Sequence, residues 1–81
     1  MMGTYTLCSL REGDWGQVIR IEAEDGMRRR LMDIGLVEGT RVTCIQRAPS
    51  GDPVAYGIRG AVIALRRADA AGVLLRDPLL E

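Results

Sequence analysis

Arg28-Arg29-Arg30-Leu31-Met32-Asp33-Ile34-Gly35-Leu36-Val37-Glu38-Gly39-Thr40 is the stretch that decides how this chain folds. Together with the preceding Met27, Leu31 and Ile34 fall at i, i+4 and i+7, which places them on one face of a helix and leaves Arg28, Arg29 and Asp33 facing outward. Asp25 stands where an N-cap acceptor belongs, and Gly35 follows the last periodic residue, where a left-handed C-terminal residue favours the absence of a Cβ. The spacing therefore predicts a helix of two to three turns. Val37-Glu38-Gly39-Thr40 reads as a tight turn, because Gly at its third place permits positive φ. If Gly35 and Gly39 both hold positive φ, a Cβ at either costs about 1 kcal/mol or more. A helix this short is marginal alone and must be held by packing against the rest of the chain.

Working outward, the remainder reads as strands and turns. Upstream, Tyr5 to Leu10 is a first strand or extended arm with Leu7 and Leu10 as core anchors and Cys8 turned to solvent. Arg11-Glu12-Gly13-Asp14 is a turn. Gly16 to Glu22 alternates with Val18 apart from Ile19 and Ile21, as a strand does. Ala23 to Gly26 is an acidic lead into the helix, and carboxylates there suit the helix macrodipole. Downstream, Thr40 to Arg47 alternates Val42 and Cys44 against Arg41, Thr43 and Ile45, which predicts a half-buried strand with Cys44 inward. Ala48-Pro49-Ser50-Gly51-Asp52-Pro53 is the strongest loop signal and reads as the tip of a long hairpin. Val54, Tyr56 and Ile58 share a face of the next strand. Gly60 breaks it before Ala61 to Arg66, where Ile63 and Leu65 oppose Val62 and Ala64. Arg67 to Ala71 has room for one helical turn, Gly72 to Arg76 offers a last strand through Val73 and Leu75, and Asp77-Pro78 ends it.

Composition limits the chemistry. The chain has 81 residues, enough for one domain spanning 1–81, and a chain of that size buries about 60% of its unfolded surface. Hydrophobic residues make up 47% without any Phe, so Val, Ile, Leu, Met and Ala must build the core around Trp15, Tyr5 and Tyr56. Eleven Arg balance eleven Asp plus Glu, so bulk charge selects no partner. His and Lys are both absent, which removes the commonest general base, the commonest transition-metal ligand and the P-loop lysine together. We therefore expect no catalytic, cofactor or metal residues. Cys8 and Cys44 lie outside any C-x-x-C pattern, cannot form a four-ligand zinc set, and are expected as free thiols. No run approaches the roughly 18 apolar residues of a membrane span, and the start lacks a signal-peptide layout, so the expected location is the cytoplasm.

Short strands separated by turns, one brief helix and an aliphatic core predict a mainly β chain. The expected architecture is a small SH3-like barrel of about five strands with one short α-helix, since closure satisfies edges that a few strands would expose.

Arg29-Arg30-Leu31 with Ile34-Gly35-Leu36-Val37-Glu38-Gly39-Thr40, then Ala48-Pro49-Ser50-Gly51-Asp52-Pro53, then Ile58-Arg59-Gly60 running into Ile63-Ala64-Leu65-Arg66-Arg67 with Ala70, together resemble the ferrous iron transport protein A (FeoA) family. The opening Leu7, Leu10, Gly13, Gly16 and Val18 fit the same pattern, and the match covers nearly the whole chain. The departure is Glu38, where the family often places Pro. The resemblance implies a small cytoplasmic SH3-like accessory protein of FeoB, the membrane iron transporter with its own GTP-binding domain, with membrane contact only through that partner. It also extends to the C-terminal domain of iron-dependent repressors of the diphtheria-toxin-repressor type, although 81 residues are expected to leave no space for a helix-turn-helix.

Four side chains are the candidate partner-binding residues: Arg28, Arg29, Met32 and Leu36. Met32 and Leu36 lie off the apolar stripe, so they are expected to stay partly exposed beside two arginines, the mixture that interface cores favour; for Leu36 a core position is an equal alternative. Three other readings compete. Arg28, Arg29 and Arg30 could contact nucleic-acid phosphates, but zero net charge and few aromatics argue against it. One arginine could act as a finger on a GTPase. Glu22, Glu24, Asp25 and Cys8 could sense a metal, though oxygen donors without His suit Fe²⁺ poorly. Self-association stays open.

Overall fold

The computed structural model describes residues 5–76. In chain order it contains β1 (Tyr5–Thr6), a 3₁₀ turn (Leu7–Ser9), β2 (Trp15–Ile21), α1 (Asp25–Asp33), β3 (Arg41–Arg47), β4 (Val54–Ile58), β5 (Ala61–Leu65), α2 (Arg67–Ala70) and β6 (Val73–Arg76). The strands form one antiparallel sheet of order β1-β6-β2-β3-β4-β5. The short helix and the single helical turn fall where the sequence places them. The strand count is six because Tyr5–Thr6 pairs with Leu74 and Leu75 before the chain coils. The expected stop at Asp77-Pro78 lies outside the described residues.

One hydrogen bond shows that the sheet curls into a barrel. β1 and β4 are four strand spacings apart, about 19 Å in a flat sheet. Yet the Tyr56 hydroxyl on β4 donates to the carbonyl oxygen of Leu7, immediately after β1, at 3.2 Å. Inside the curl lie Leu7, Leu10, Val18, Val42, Cys44, Val54, Tyr56, Ile58, Leu65, Val73 and Leu75, with Leu31 and Leu36 from the helix and its elbow. Among the described residues no buried side-chain nitrogen or oxygen lacks a partner.

Two β-bulges change the face of residues that simple alternation assigned. In β2 the register against β6 shifts between Val18 and Arg20, so Ile19 is the extra residue. Each such residue flips the alternation beyond it, and Ile21, which simple alternation sets on the face away from Val18, packs partly against the core. In β3 the shift lies between Cys44 and Gln46, and Ile45, the extra residue, is 45% exposed, on the side away from Cys44 where alternation sets it.

The first segment departs from expectation for a related reason. Residues 7–9 coil rather than alternate, so Leu7 and Leu10 are buried as expected while Cys8 is half-buried, its thiol 3.5 Å from the Arg67 carbonyl. Cys8 is thus not turned freely to solvent. Cys44 is fully buried, as its alternation with Val42 requires.

The start of α1 lies one residue earlier than expected: Glu24, in extended conformation, occupies the N-cap, makes no side-chain cap bond, and Asp25 is already helical. Its end is tightly specified. Gly35 (φ 107°) donates to the Met32 carbonyl at 2.9 Å, and Leu36 donates to the Leu31 carbonyl at 3.1 Å. These are the paired bonds of a Schellman motif, in which the residue after the left-handed glycine folds back onto the last turn. Leu36 meets that requirement by entering the core beside Leu31. The following turn is closed by the Thr40 amide on the Val37 carbonyl at 3.0 Å, with Gly39 at φ 89°.

Candidate functional site

The exposed side of α1, its elbow and the bulged half of β2 form the one surface where the predicted residues meet. Arg28 and Met32, one turn apart on α1, share a face beside the buried Leu31. Met32 is 43% exposed, an uncommon position for a large apolar side chain. Between α1 and β2 runs a groove of about 290 Å³, whose lining includes Ile19, Ile21, Arg28, Met32 and Val37. A second hollow on the outer side of the helix is lined by Asp25, Arg28, Arg29, Met32 and Asp33. Arg28 and Met32 border both hollows, and Arg29 borders the outer one.

Leu36 corrects the sequence reading. It lies beneath the groove but is fully buried, because the Schellman geometry turns it inward one residue after the helix stops. It cannot present a docking surface. Ile19, Ile21 and Val37 supply the apolar area instead. The bulge at Ile19 brings β2 residues to this groove, and period-two alternation has no means of announcing a bulge.

The electrostatics are mixed rather than basic. Arg28 Nη2 lies 3.6 Å from Asp25 Oδ1, and Arg20 binds Glu22 Oε2 through Nη2 at 2.8 Å and Nε at 3.0 Å. With Asp25 and Asp33 in the same hollow as Arg28 and Arg29, phosphate would meet carboxylates as well as guanidinium groups. One face of the Trp15 ring is already covered by the Arg41 guanidinium, 3.8 Å from the ring centroid. Arg47 is committed to the scaffold: its Nη2 donates to the Leu10 carbonyl at 2.8 Å. The set Glu22, Glu24, Asp25 and Cys8 does not converge, and no group of three or more His, Cys, Asp or Glu among the described residues could hold a metal ion.

The thiols differ in environment. Burial is the main cause that pushes the Cys44 thiol above its ordinary pKa, outweighing the opposing pull of Arg47. A desolvated thiol is a poor nucleophile. In a thiol-labelling time course on the folded protein we expect Cys8 to react first and Cys44 only on unfolding; equal rates would place Cys44 within reach of solvent.

This architecture, a six-stranded antiparallel barrel with one short helix beside it, defines the class of small SH3-like proteins. A family model for the FeoA domain matches residues 5–77, and the chain belongs to the FeoA family. It is 39% identical over 67 residues to an Fe(2+) transport protein A/Fe(2+) transporter FeoB fusion protein of Porphyromonas gingivalis, a match over 83% of this chain. The chain spans only 8% of that relative's length. Among solved structures, FeoA of Chlorobium tepidum is 36% identical with a TM-score of 0.84, over 91% of this chain and 70% of that one. FeoA of Stenotrophomonas maltophilia, solved with zinc and described as an SH3 domain protein, is 28% identical with a TM-score of 0.80, over 89% of each chain. The fold recurs in a manganese-dependent transcriptional repressor, at 26% identity and a TM-score of 0.81 over 94% of this chain and 37% of the repressor.

Proposed function

We propose that this chain is a non-enzymatic accessory protein of ferrous iron uptake that binds the cytoplasmic GTP-binding part of a FeoB-type transporter. The observation that carries this is the Porphyromonas gingivalis relative, in which a domain matching most of this chain is named with FeoB in one fused protein. Fusion suits partners that act at one place, because a linker turns association into an intramolecular event. The Stenotrophomonas maltophilia protein, described as a candidate ferrous iron transport activating factor, supports the same reading. No helix among the described residues is long and apolar enough to cross a membrane.

The docking surface in this reading is Arg28, Arg29 and Met32 with the groove behind them. Met32 supplies an adaptable apolar contact and the arginines supply directional donors, both enriched at interface centres. The test is a pull-down of the transporter's cytoplasmic domain with a GTPase assay alongside. Reversing charge in an Arg28→Glu/Arg29→Glu double variant is expected to weaken binding about tenfold and leave the melting temperature unchanged. Among the described residues the ion pair disturbed, Arg28 with Asp25, is exposed, and such pairs contribute about 0–1 kcal/mol. Undiminished affinity in the folded double variant would move docking away from α1, most plausibly to the Pro49 to Pro53 hairpin tip.

A further inference from the structure

At the end of the strand order, β5 has a character of its own. Among the described residues it is an edge strand, paired with β4 alone. Its pairing with β4 runs unbroken from Ile58↔Ala61 to Val54↔Leu65, with no bulge. The connection is the two-residue turn Arg59-Gly60, both residues at positive φ (50° and 87°). In such a hairpin the residues flanking the turn exchange both backbone bonds, so Ala61, Ile63 and Leu65 face β4. Val62 and Ala64 therefore direct their N–H and C=O groups outward, and no hydrogen bond among the described residues reaches them.

Natural edges are blunted by charge, proline, bulges or extreme shortness. Ala61-Val62-Ile63-Ala64-Leu65 carries none of these. Its outer face is aliphatic as well: Val62 is 68% exposed and lies opposite Gly57. Ile45 also packs over Gly57, its Cδ1 3.2 Å from where a Cβ would stand. An added strand would find backbone partners at Val62 and Ala64 and apolar neighbours beside them.

Charge decides what that strand is. Arg59 stands at one end of β5, Arg66 and Arg67 at the other, all exposed, and none of the three makes a salt bridge with a described carboxylate. Asp52, at the Arg67 end, accepts from the backbone N–H of Arg67 at 2.9 Å, and Arg59 shares a shallow hollow with Glu38 without an ion pair to it. A second copy fits badly. Self-pairing centred on Ile63 brings the β4–β5 turn of each copy, with Arg59, up to the Arg66-Arg67 end of the other, and like charges brought together repel. We propose that the edge of β5 is a strand-addition site for an extended peptide segment of a partner protein, aliphatic at alternate positions and carrying carboxylates at both ends. Main-chain bonds at Val62 and Ala64 hold such a segment, and the arginines fix its register.

The test uses the full chain and two synthetic nine-residue peptides, Glu-Glu-Val-Thr-Val-Thr-Val-Glu-Glu and the same core flanked by lysines. Under millimolar titration followed by amide NMR, the acidic peptide is expected to shift the Val62 and Ala64 amides and slow their hydrogen exchange. The lysine-flanked peptide is expected to bind at least about tenfold more weakly. An Arg66→Glu/Arg67→Glu variant should reverse that preference, whereas Val62→Pro, which deletes an outward N–H on an edge that tolerates proline, should abolish binding of either peptide. Equal binding of both peptides, shifts confined to α1, or no binding overturns the proposal. So does protection of Val62 and Ala64 in the peptide-free protein, which would mean that a second copy or the chain's own terminal residues already cover the edge. Sedimentation at the same concentration tells those two apart.

Discussion

Leu36→Ala is expected to lower the unfolding free energy by about 2–5 kcal/mol, the range for truncating a buried leucine. For a chain of this length, whose whole stability is of order 4–12 kcal/mol, that is enough to unfold a substantial fraction at physiological temperature. The expectation rests on burial together with the cap: the Leu36 amide closes the last turn of α1 on the Leu31 carbonyl, and its side chain lies with Leu31 in the core. Removing the side chain leaves a cavity where the helix terminus meets the barrel. Chemical denaturation would show a lower midpoint with an unchanged slope. Met32→Ala is the control: one turn away and 43% exposed, it should change stability by no more than about 0.5 kcal/mol. If Leu36→Ala left stability intact while weakening partner binding, Leu36 would be a docking residue after all and the helix terminus would be built differently.

The second large effect concerns alkaline stability. Burial pushes the Tyr56 phenol from 10.0 to about 12, neighbouring Cys8 and Cys44 adding to the rise and Arg47 and Arg67 opposing it. Between those two values the unfolded chain has lost the phenolic proton and the folded chain keeps it. The unfolded state then binds fewer protons, so stability falls as pH rises. The Tyr56 contribution is fully present below pH 10 and declines by about 1.4 kcal/mol per pH unit above it, roughly 3 kcal/mol in all by pH 12. Tyr56→Phe separates this from general alkaline damage. It loses the hydrogen bond to Leu7, which costs about 1 kcal/mol at neutral pH, but it has no phenol to ionise. The two stability curves should therefore cross above pH 10. Parallel curves would mean that Tyr56 ionises as freely in the folded barrel as in the unfolded chain.

Much of this was legible in the sequence, and the exceptions share a physical origin. Strands announce themselves by alternation, so Val42 with Cys44, and Val54 with Tyr56 and Ile58, are buried as their spacing requires. The helix announces itself by Met27, Leu31 and Ile34, and Gly35 marks its end. What alternation cannot carry is a change of phase. Ile19 and Ile45 are inserted residues whose extra place appears only once the partner strand's register is known, and Ile21 turned inward for that reason. Leu7 to Ser9 left the extended path in a 3₁₀ turn, which set Cys8 against Arg67 rather than into solvent. Leu36 is a different case, since its place off the apolar stripe leaves surface and core equally open. Glycine followed by leucine after an apolar helical stripe is itself the Schellman signature, and weighing it would have assigned Leu36 to the core. Of the candidate docking residues, Arg28, Arg29 and Met32 lie together on the surface because helix periodicity alone places them.

The position of β6 has a consequence for how the chain is made. Val73–Arg76 does not extend the sheet at an edge but lies between β1 and β2, pairing with both. A ribosome delivers residues in order, at about 5–20 per second, so β2 to β5 and the helix between β2 and β3 can associate while β1 still lacks β6, its one neighbour among the described strands. The barrel closes only when the last described strand has left the exit tunnel. Until then β1 and the facing edge of β2 are unpaired, and whatever sequence follows residue 76 must emerge far enough to release β6 before this domain is complete.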